Sequence, residues 1–384
     1  MIVEIKGAGF QNYGAWLMHT AVVQRLEAVL PGVQIAMSAR RLVTRDGARY
    51  SGLLRKVDLR ARWLDLNGLT RFIPRWLRQR LLMRGVVFEC DLSMIIDVAG
   101  FGYSDQWGRD YPIRHAAAEV VRMNESGRHY FFMPQAMGPF QTAKARSAIR
   151  TSMPLASLVA LRDPVSFAAI HEITGGFRGL SQYPDFTNSV EMRGDHFEMP
   201  TAPYFVIVPN ANMLVSGSSN TVWSQNYAEV LFYCIESALH LDLKVVLLNF
   251  GGAMDQPLVD ELATRCDEAE VWEAKSELHA KALMAGATVA MSSRYHACVS
   301  ALSAGVPCLA TSWSHKYQAL YDDYGVSDML LSCDVQREDI VQLVKQLMSP
   351  AASQRGTILE KAAEQKTRTE AMWRTFEATV GGAL

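Results

Sequence analysis

Arg294 and His296 stand two residues apart near the start of the segment Ser292 to Lys316, SSRYHACVSALSAGVPCLATSWSHK, which Lys316 closes. The apolar run ATVAMSS (Ala287 to Ser293) reads as a buried strand, and the pattern from Tyr295 to Ala304 as a helix. The arginine and histidine therefore fall where a strand ends and a helix begins. Lys316 follows just beyond the next strand, PCLATS (Pro307 to Ser312). A guanidinium presents a planar fork that fits phosphate or carboxylate through two hydrogen bonds. The helix start adds backbone N–H groups and partial positive charge. An imidazole changes charge near neutral pH and can pass a proton. Such a set suits a small substrate carrying several negative charges.

These groups need a scaffold that brings strand ends together. Short apolar runs alternate with helical patterns along most of the chain, as in parallel α/β architecture. In the first half, strands are expected at Met1 to Lys6, Met94 to Val98, His129 to Met133, Leu158 to Leu161 and Gly179 to Tyr183. Helices are expected at about Asn12 to Leu30, Tyr111 to Glu125 and Pro164 to Thr174. Gly194, Pro200 and Pro203 break the pattern between Glu191 and Pro203. Alternation then resumes with strands at Tyr204 to Asn210, Lys244 to Phe250, Ala287 to Ser293 and Pro307 to Ser312. Helices at about Ser224 to His240, Pro257 to Arg265, Ser276 to Ala285 and Tyr295 to Ala304 lie between or after them. The expected architecture is α/β, with two Rossmann-like domains facing across a cleft in a glycosyltransferase-B-like arrangement. Their bounds are 1–195 and 200–350, and a helix in 351–384 packs back on the body. Ligands in such sheets sit beyond the carboxyl ends of the strands.

Composition narrows the function. A net charge of -1 over 384 residues argues against a general nucleic-acid binder. Six cysteines with no C-x-x-C pair favour reduced thiols over a disulfide framework or zinc site. The opening MIVEIKGAGF has neither the basic region nor the apolar run of a secretory leader, and no run is long enough to span a bilayer. A cytoplasmic protein is expected, with association at the cytoplasmic face of the inner membrane left open. That opening rests on Leu53 to Gly85, where nine basic residues face only Asp58 and Asp65 and interleave with Trp63, Phe72, Ile73, Trp76 and Leu77. A basic amphipathic helical insertion of this kind can rest on an anionic surface or hold a lipid diphosphate. The plainer alternative is a packed apolar stripe with solvated arginines. Gly7, Gly9 and Gly14 do not form a dinucleotide fingerprint, and P-loop, H-E-x-x-H and G-x-S-x-G motifs are absent.

The ending Ala304, Gly305, Val306, Pro307 is close to the A-x-G-x-P end of a glycosyltransferase nucleotide site, with Ser303 at the alanine position. Such enzymes usually place carboxylates early in the helix, whereas no acidic residue occurs from Ser292 to Tyr321. A cation accepts no hydrogen bond from ribose. The segment resembles instead the polysaccharide pyruvyltransferases, whose motif S-x-R-x-H-A, then G-x-P, then lysine is matched by Ser292, Arg294, His296, Ala297, Gly305, Pro307 and Lys316. FMPQAMGPF (Phe132 to Phe140) is similar to that family's P-Q-S-x-G-P loop, with Ala136 in place of serine. ALRDPVS (Ala160 to Ser166), YPDFTNSV (Tyr183 to Val190) and GFQNYGAW (Gly9 to Trp16) resemble its other motifs, with Ala15 where many members have aspartate.

The resemblance implies transfer of the pyruvyl unit of phosphoenolpyruvate onto two hydroxyls of a sugar as a cyclic ketal, in exopolysaccharide or cell-wall glycan biosynthesis. It implies no cofactor and no metal; phosphoenolpyruvate is the donor substrate. Arg294 would clamp phosphate and His296 act as acid or base. Arg162 and Lys316 would hold the carboxylate and remaining phosphate oxygens, with Ser293, Gln135 and Asn12 also binding substrate. Asp163 would either bind substrate or orient Arg162, and Asp185 or Asp105 would bind the acceptor, which a lipid carrier could hold. Gln135 and Gly138 could equally form a tight turn, and His315 reads as a loop residue. Two rivals remain: a sugar-nucleotide glycosyltransferase of the same architecture, and a non-catalytic glycan-pathway binding protein. The oligomeric state is not set by the sequence.

Overall fold

The computed structural model describes residues 1–45, 47, 50–62, 64–193, 196–215, 223–312, 314–349 and 354–381. Trp63, Gly194 and the expected helical residues 351–353 lie outside that set. Two compact units emerge. The first comprises Met1–Phe10, Met18–Phe186 and the chain from Arg368; the second comprises Gln11–Leu17 and Thr187–Thr367.

In the first unit the strands are β1 (Ile2–Lys6), β2 (Gln34–Ser38), β3 (Leu54–Lys56), β4 (Arg60–Ala61), β5 (Leu64–Asp65), β6 (Val86–Val87), β7 (Met94–Asp97), β8 (His129–Gln135), β9 (Leu158–Leu161) and β10 (Leu180–Gln182). Among the described residues an eight-stranded sheet runs β10-β9-β8-β7-β1-β2-β3-β6, parallel throughout, while β4 and β5 form a small antiparallel pair. The chain begins in the sheet interior at β1 and moves outward through β2 and β3 to β6. It then returns to the other side of β1 with β7 and moves outward the opposite way. The strand order therefore reverses between β1 and β7.

The helices are α1 (Tyr13–Val29), α2 (Arg75–Leu82), α3 (Tyr111–Glu125), α4 (Ala143–Ser152) and α5 (Pro164–Thr174). Ile95, Ile96, Phe131 and Phe132 are wholly buried, as expected of parallel strands covered on both faces. Each such side chain contributes about 1.5–3 kcal/mol by leaving water.

The second unit repeats the plan with β11 (Tyr204–Val208), β12 (Lys244–Leu248), β13 (Ala269–Trp272), β14 (Val289–Ser292), β15 (Cys308–Thr311) and β16 (Leu330–Leu331). Its parallel order, β13-β12-β11-β14-β15-β16, reverses between β11 and β14. Helices α6 (Tyr227–Leu239), α7 (Gln256–Arg265), α8 (Glu277–Ala285), α9 (Tyr295–Leu302), α10 (His315–Asp323) and α11 (Arg337–Met348) flank it, and α12 (Arg355–Gly381) follows. The last turns of α12 pack on the first unit. The Phe376 ring lies 4.7 Å from that of Phe131, and Arg25 pairs with Glu370 at 2.8 Å.

One expectation needs correction. The basic stretch at 53–85 is not one amphipathic helix; it is divided among β3, the β4–β5 pair, a 3-10 turn (Asn67–Phe72) and the short α2. Its first cations are structural. Lys56 is fully buried against Glu4 at 2.6 Å and Glu119 at 3.1 Å, and Arg60 meets Asp58 at 2.8 Å. Burial without compensation would cost such groups several kcal/mol, which explains why the carboxylates converge there.

Candidate active site

The crevice between the ends of β11 and β14 is where a sheet of this order binds ligands. Two serines close β14 there. Ser293 is fully enclosed: its hydroxyl accepts from Tyr227 Oη at 2.7 Å and lies 2.6 Å from Thr311 Oγ1. Its carbonyl accepts from Asn210 Nδ2 and Tyr317 Oη, both at 2.8 Å. Burial pushes the Tyr227 hydroxyl well above its ordinary pKa, so it remains a donor. Ser293, expected to touch substrate, instead fixes the strand end in place.

Arg294 occupies the position before α9, with φ -108° and ψ 118°. Ser292 Oγ accepts its N–H at 3.0 Å. Its guanidinium is forked onto Asp255, with Nε to Oδ2 at 2.8 Å and Nη2 to Oδ1. Asp255 is fully buried just before α7, and its Oδ1 also accepts from Ala211 N–H at 3.0 Å. Gly251 leaves room for this pair, since a Cβ there would collide with both partners. Arg294 is thus a pre-oriented fork, with its Nη1 edge outside the pair with Asp255.

His296 is the second residue of α9, and its ring packs against Gly14, whose Cβ would stand 2.5 Å from Nδ1. Asn12 makes that approach possible by capping α1: its Oδ1 accepts from the N–H groups of Gly14 at 2.8 Å and Ala15 at 3.3 Å. The same turn is tied down by Tyr13, whose N–H reaches Phe250 O at 3.2 Å and whose hydroxyl bonds Ala274 O. His315, expected in a loop, is the first residue of α10, and Lys316 is the second. Its ammonium sits 5.6 Å from the centre of the Tyr295 ring and 5.5 Å from that of Tyr317. The Lys316 ammonium and the His296 ring, the latter 5.5 Å away, thus both lie beside the ring of Tyr295, which follows Arg294 in the chain.

The remaining expected residues belong to the first unit. Arg162 donates to Asp185 at 2.9 Å, both nearly inaccessible, and its N–H reaches Gln135 O at 3.2 Å. Asp185 is therefore the carboxylate that orients Arg162. Asp163, expected in that role, caps α5 through the Ser166 N–H and hydroxyl, each at 2.7 Å. Gln135 is buried and donates to Asp97 O at 3.3 Å. Gly138 has φ +85°, a left-handed conformation that suits a tight turn. Asp105 braces the loop before α4 by accepting from Gln141 and Thr142 N–H groups.

The family model for polysaccharide pyruvyl transferases matches residues 12–315. The chain belongs to the polysaccharide pyruvyl transferase family. None of the curated proteins compared with it matches. Among solved structures it is similar to the UDP-GlcNAc 2-epimerase of Neisseria meningitidis bound to UDP-GlcNAc (10% identity, TM-score 0.56, 98% of this chain and 99% of that one). The epimerase of Methanocaldococcus jannaschii (8%, 0.55, 94% and 99%) and the spinosyn rhamnosyltransferase SpnG (12%, 0.55, 98% and 100%) are similar to a like degree. At such identities the likeness is one of fold, and the fold of this pyruvyl transferase family member is glycosyltransferase-B-like, with two Rossmann-like units.

The family match includes Asn12, Arg162, Arg294 and His296 and ends one residue before Lys316. Residues that the motif search passed over complete the site of this family member. Asp255, Asn210, Tyr227 and Tyr317 lie 24 to 83 residues in sequence from the residue each bonds, Arg294 or Ser293. The asparagine closing YFVIVPN was the one visible signal, since a polar residue at a buried strand end has to find partners. Among the described residues no group of three His, Cys, Asp or Glu side chains is placed to hold a metal.

Proposed function

We propose that this transferase moves the pyruvyl unit of phosphoenolpyruvate onto two hydroxyls of a sugar as a cyclic ketal. The observation that carries this reading is the Arg294 fork, held by Asp255 at the start of α9 beside His296 and Lys316. Phosphoenolpyruvate carries about three negative charges on three carbons. The Nη1 edge of Arg294, the N–H groups opening α9 and the Lys316 ammonium supply complementary charge in a comparable space. The pairing of Arg294 with Asp255 supports a positioning logic: the guanidinium arrives already oriented, so less freedom is lost on binding.

Chemically, one sugar hydroxyl attacks C2 while the C3 methylene gains a proton and becomes methyl. The second hydroxyl then attacks C2, the C2–O bond to phosphate breaks, and the ring closes. Of the two hydroxyl protons, one ends on carbon and one on phosphate, so charge and atoms balance. His296 is the group that holds and passes a proton in this scheme. Arg162, held by Asp185 in the first unit, is proposed to bind an anionic oxygen; Asn12 and Ser293 act by positioning.

The reading extends to where the acceptor is held. From Leu66 to Phe88 there are five arginines and no acidic residue, and Leu69, Phe72, Trp76 and Met83 are 56%, 69%, 65% and 82% exposed. Arg78 is paired with Asp91, and an anionic membrane surface fits the rest of such a stretch, because it takes apolar side chains and arginines together. A second copy of the same stretch would set arginine against arginine. A lipid-linked acceptor is thereby favoured.

Thermal denaturation with phosphoenolpyruvate tests the central claim. The ligand should raise the Tm of the wild type and leave Arg294→Ala unmoved. Stabilisation by a nucleotide sugar, with none by phosphoenolpyruvate, would sink the proposal.

A further inference from the structure

The first unit has its own crevice at its own reversal point, outside the carboxyl ends of β1 and β7. A cavity of about 390 Å³ opens there, lined by Lys6 and Gly7 after β1 and by Ala99, Gly102 and Tyr103 after β7. The strand ends meet backbone to backbone: Gly7 has φ +91°, and a Cβ on it would lie 2.6 Å from Ala99 Cα. Arg40 and Arg41 reach this cavity from the turn following β2, Arg60 from β4, and Arg109 from the loop before α3.

Charge is distributed unevenly over these cations. Lys6 donates to Glu119 at 2.5 Å and Tyr130 Oη at 2.8 Å and lies 3.4 Å from Asp97; Arg60 lies 3.1 Å from Glu119. Asp97 accepts from the hydroxyls of Tyr103 and Tyr130, each at 2.6 Å, so this network is internally compensated. The carboxylates in the lining are Glu4 and Asp58. Glu4 is held by Lys56 and Asp58 by Arg60. Arg40, Arg41 and Arg109 are different. They are exposed, and among the described residues none pairs with a carboxylate; Arg109 Nη1 donates to Tyr111 Oη at 3.0 Å. Three guanidinium forks with no carboxylate partner among the described residues, carried by two separate loops, thus line one concavity above a floor whose own cations are paired.

We propose that this crevice binds a phosphate or diphosphate group, with Arg40, Arg41 and Arg109 as its charge partners, and that the group belongs to the saccharide acceptor. Assigning the anion to the acceptor rests on the pyruvyl-transfer reading above; the anion site itself does not. Three forks offer more donors than one carboxylate has acceptor positions, whereas a diphosphate can receive them all. The cavity volume also leaves room for a sugar next to the charged group.

The test is calorimetric titration of the full chain with inorganic pyrophosphate, comparing wild type, Arg40→Ala, Arg40→Ala/Arg109→Ala and Arg294→Ala. Both substituted arginines of the double variant are exposed, and its Tm checks that folding is intact. Pyrophosphate affinity should fall about tenfold for each of Arg40 and Arg109 removed. It should survive in Arg294→Ala, while the Tm shift given by phosphoenolpyruvate shows the opposite pattern. Inorganic pyrophosphate should also compete with the sugar acceptor and not with phosphoenolpyruvate in phosphate-release assays. Absence of wild-type binding, affinity unchanged in the double variant, loss confined to Arg294→Ala, or competition with the donor would each overturn the proposal. A wild type that binds pyrophosphate through Arg40 and Arg109 yet gains no stability from phosphoenolpyruvate would refute the pyruvyl-transfer reading and leave the anion site standing.

Discussion

Gly14 approaches the imidazole of His296 so closely that a Cβ added to it would lie 2.5 Å from Nδ1 and 3.0 Å from Cγ. Non-bonded atoms settle at about 3.5 Å or more, so Gly14→Ala must open this contact by about 1 Å. The helix side cannot easily yield, because Asn12 caps it and both the N–H and the hydroxyl of Tyr13 anchor the same turn. The ring yields instead. A shift of about 1 Å at a reacting group costs about 100-fold in rate, or about 2.7 kcal/mol of transition-state free energy. Folding should survive, since alanine is the better helix former by up to about 1 kcal/mol. The assay is phosphate release from phosphoenolpyruvate with acceptor present, together with Tm and the donor-induced Tm shift. The expected result is a kcat about 100-fold lower, an unchanged Tm within a few degrees, and a retained donor shift through Arg294. Gly356→Ala is the control, because its Cβ would meet nothing within 4 Å. A kcat within twofold of wild type would refute the placement of His296 at the reacting atoms.

Asp255→Asn keeps the shape of the partner of Arg294 and removes its charge. It should cost about 3 kcal/mol in urea unfolding and raise KM for phosphoenolpyruvate more than it lowers kcat; an unchanged KM would show that orientation of Arg294 is unimportant. Burial holds the Glu4 carboxyl up at about 7 even with Lys56 at 2.6 Å, while the unfolded chain releases that proton near 4.5. The folded state therefore binds the extra proton in that window, so this contribution to stability is full below about pH 4.5 and is lost as pH rises through about 7. Glu4→Gln should flatten that decline in a series of Tm measurements; an identical slope would contradict it. Burial raises Glu119 too, yet Lys56, Lys6 and Arg60 together hold it well below the usual carboxylate range, which moves its opposite-signed effect to more acidic pH. Sedimentation with anionic vesicles should recover the wild type at low salt, and Phe72→Ala/Trp76→Ala should reduce the bound fraction about tenfold or more. Equal binding by both proteins would remove the membrane assignment.

How much of this was legible in the sequence depended on where each interaction is decided. The interior strands β1, β7, β8, β9, β11, β12, β14 and β15 were visible as apolar runs, because both their faces are buried. The strand β13, AEVW, was not, because only its first residue is buried and its other residues are exposed to varying degrees. Helix α4 was missed for the related reason that its apolar positions are few: Ala145, Ile149 and Ser152 are its buried residues. Helix α11 carries Ile340, Val344 and Leu347 at helical spacing and could have been read. Caps are local and could have been read more firmly. Asp163 precedes a proline and stands three residues before Ser166, a helix-start pattern that explains its side chain without substrate.

Long-range pairing is where the linear reading had no purchase, and the site turns on one such pair. The segment from Ser292 to Tyr321 contains no carboxylate, which made Arg294 look like an isolated cation awaiting an anion. The fold supplies a carboxylate from 39 residues away, and Asp255 takes two of the donors of Arg294. The pair is close to neutral, so Arg294 alone cannot balance a trianionic donor. On the proposed reading the start of α9 adds positive charge, and the Lys316 ammonium lies against the rings of Tyr295 and Tyr317 near the same turn. Asp255 therefore fixes the direction of Arg294, and a trianionic ligand at this site needs positive charge beyond that pair.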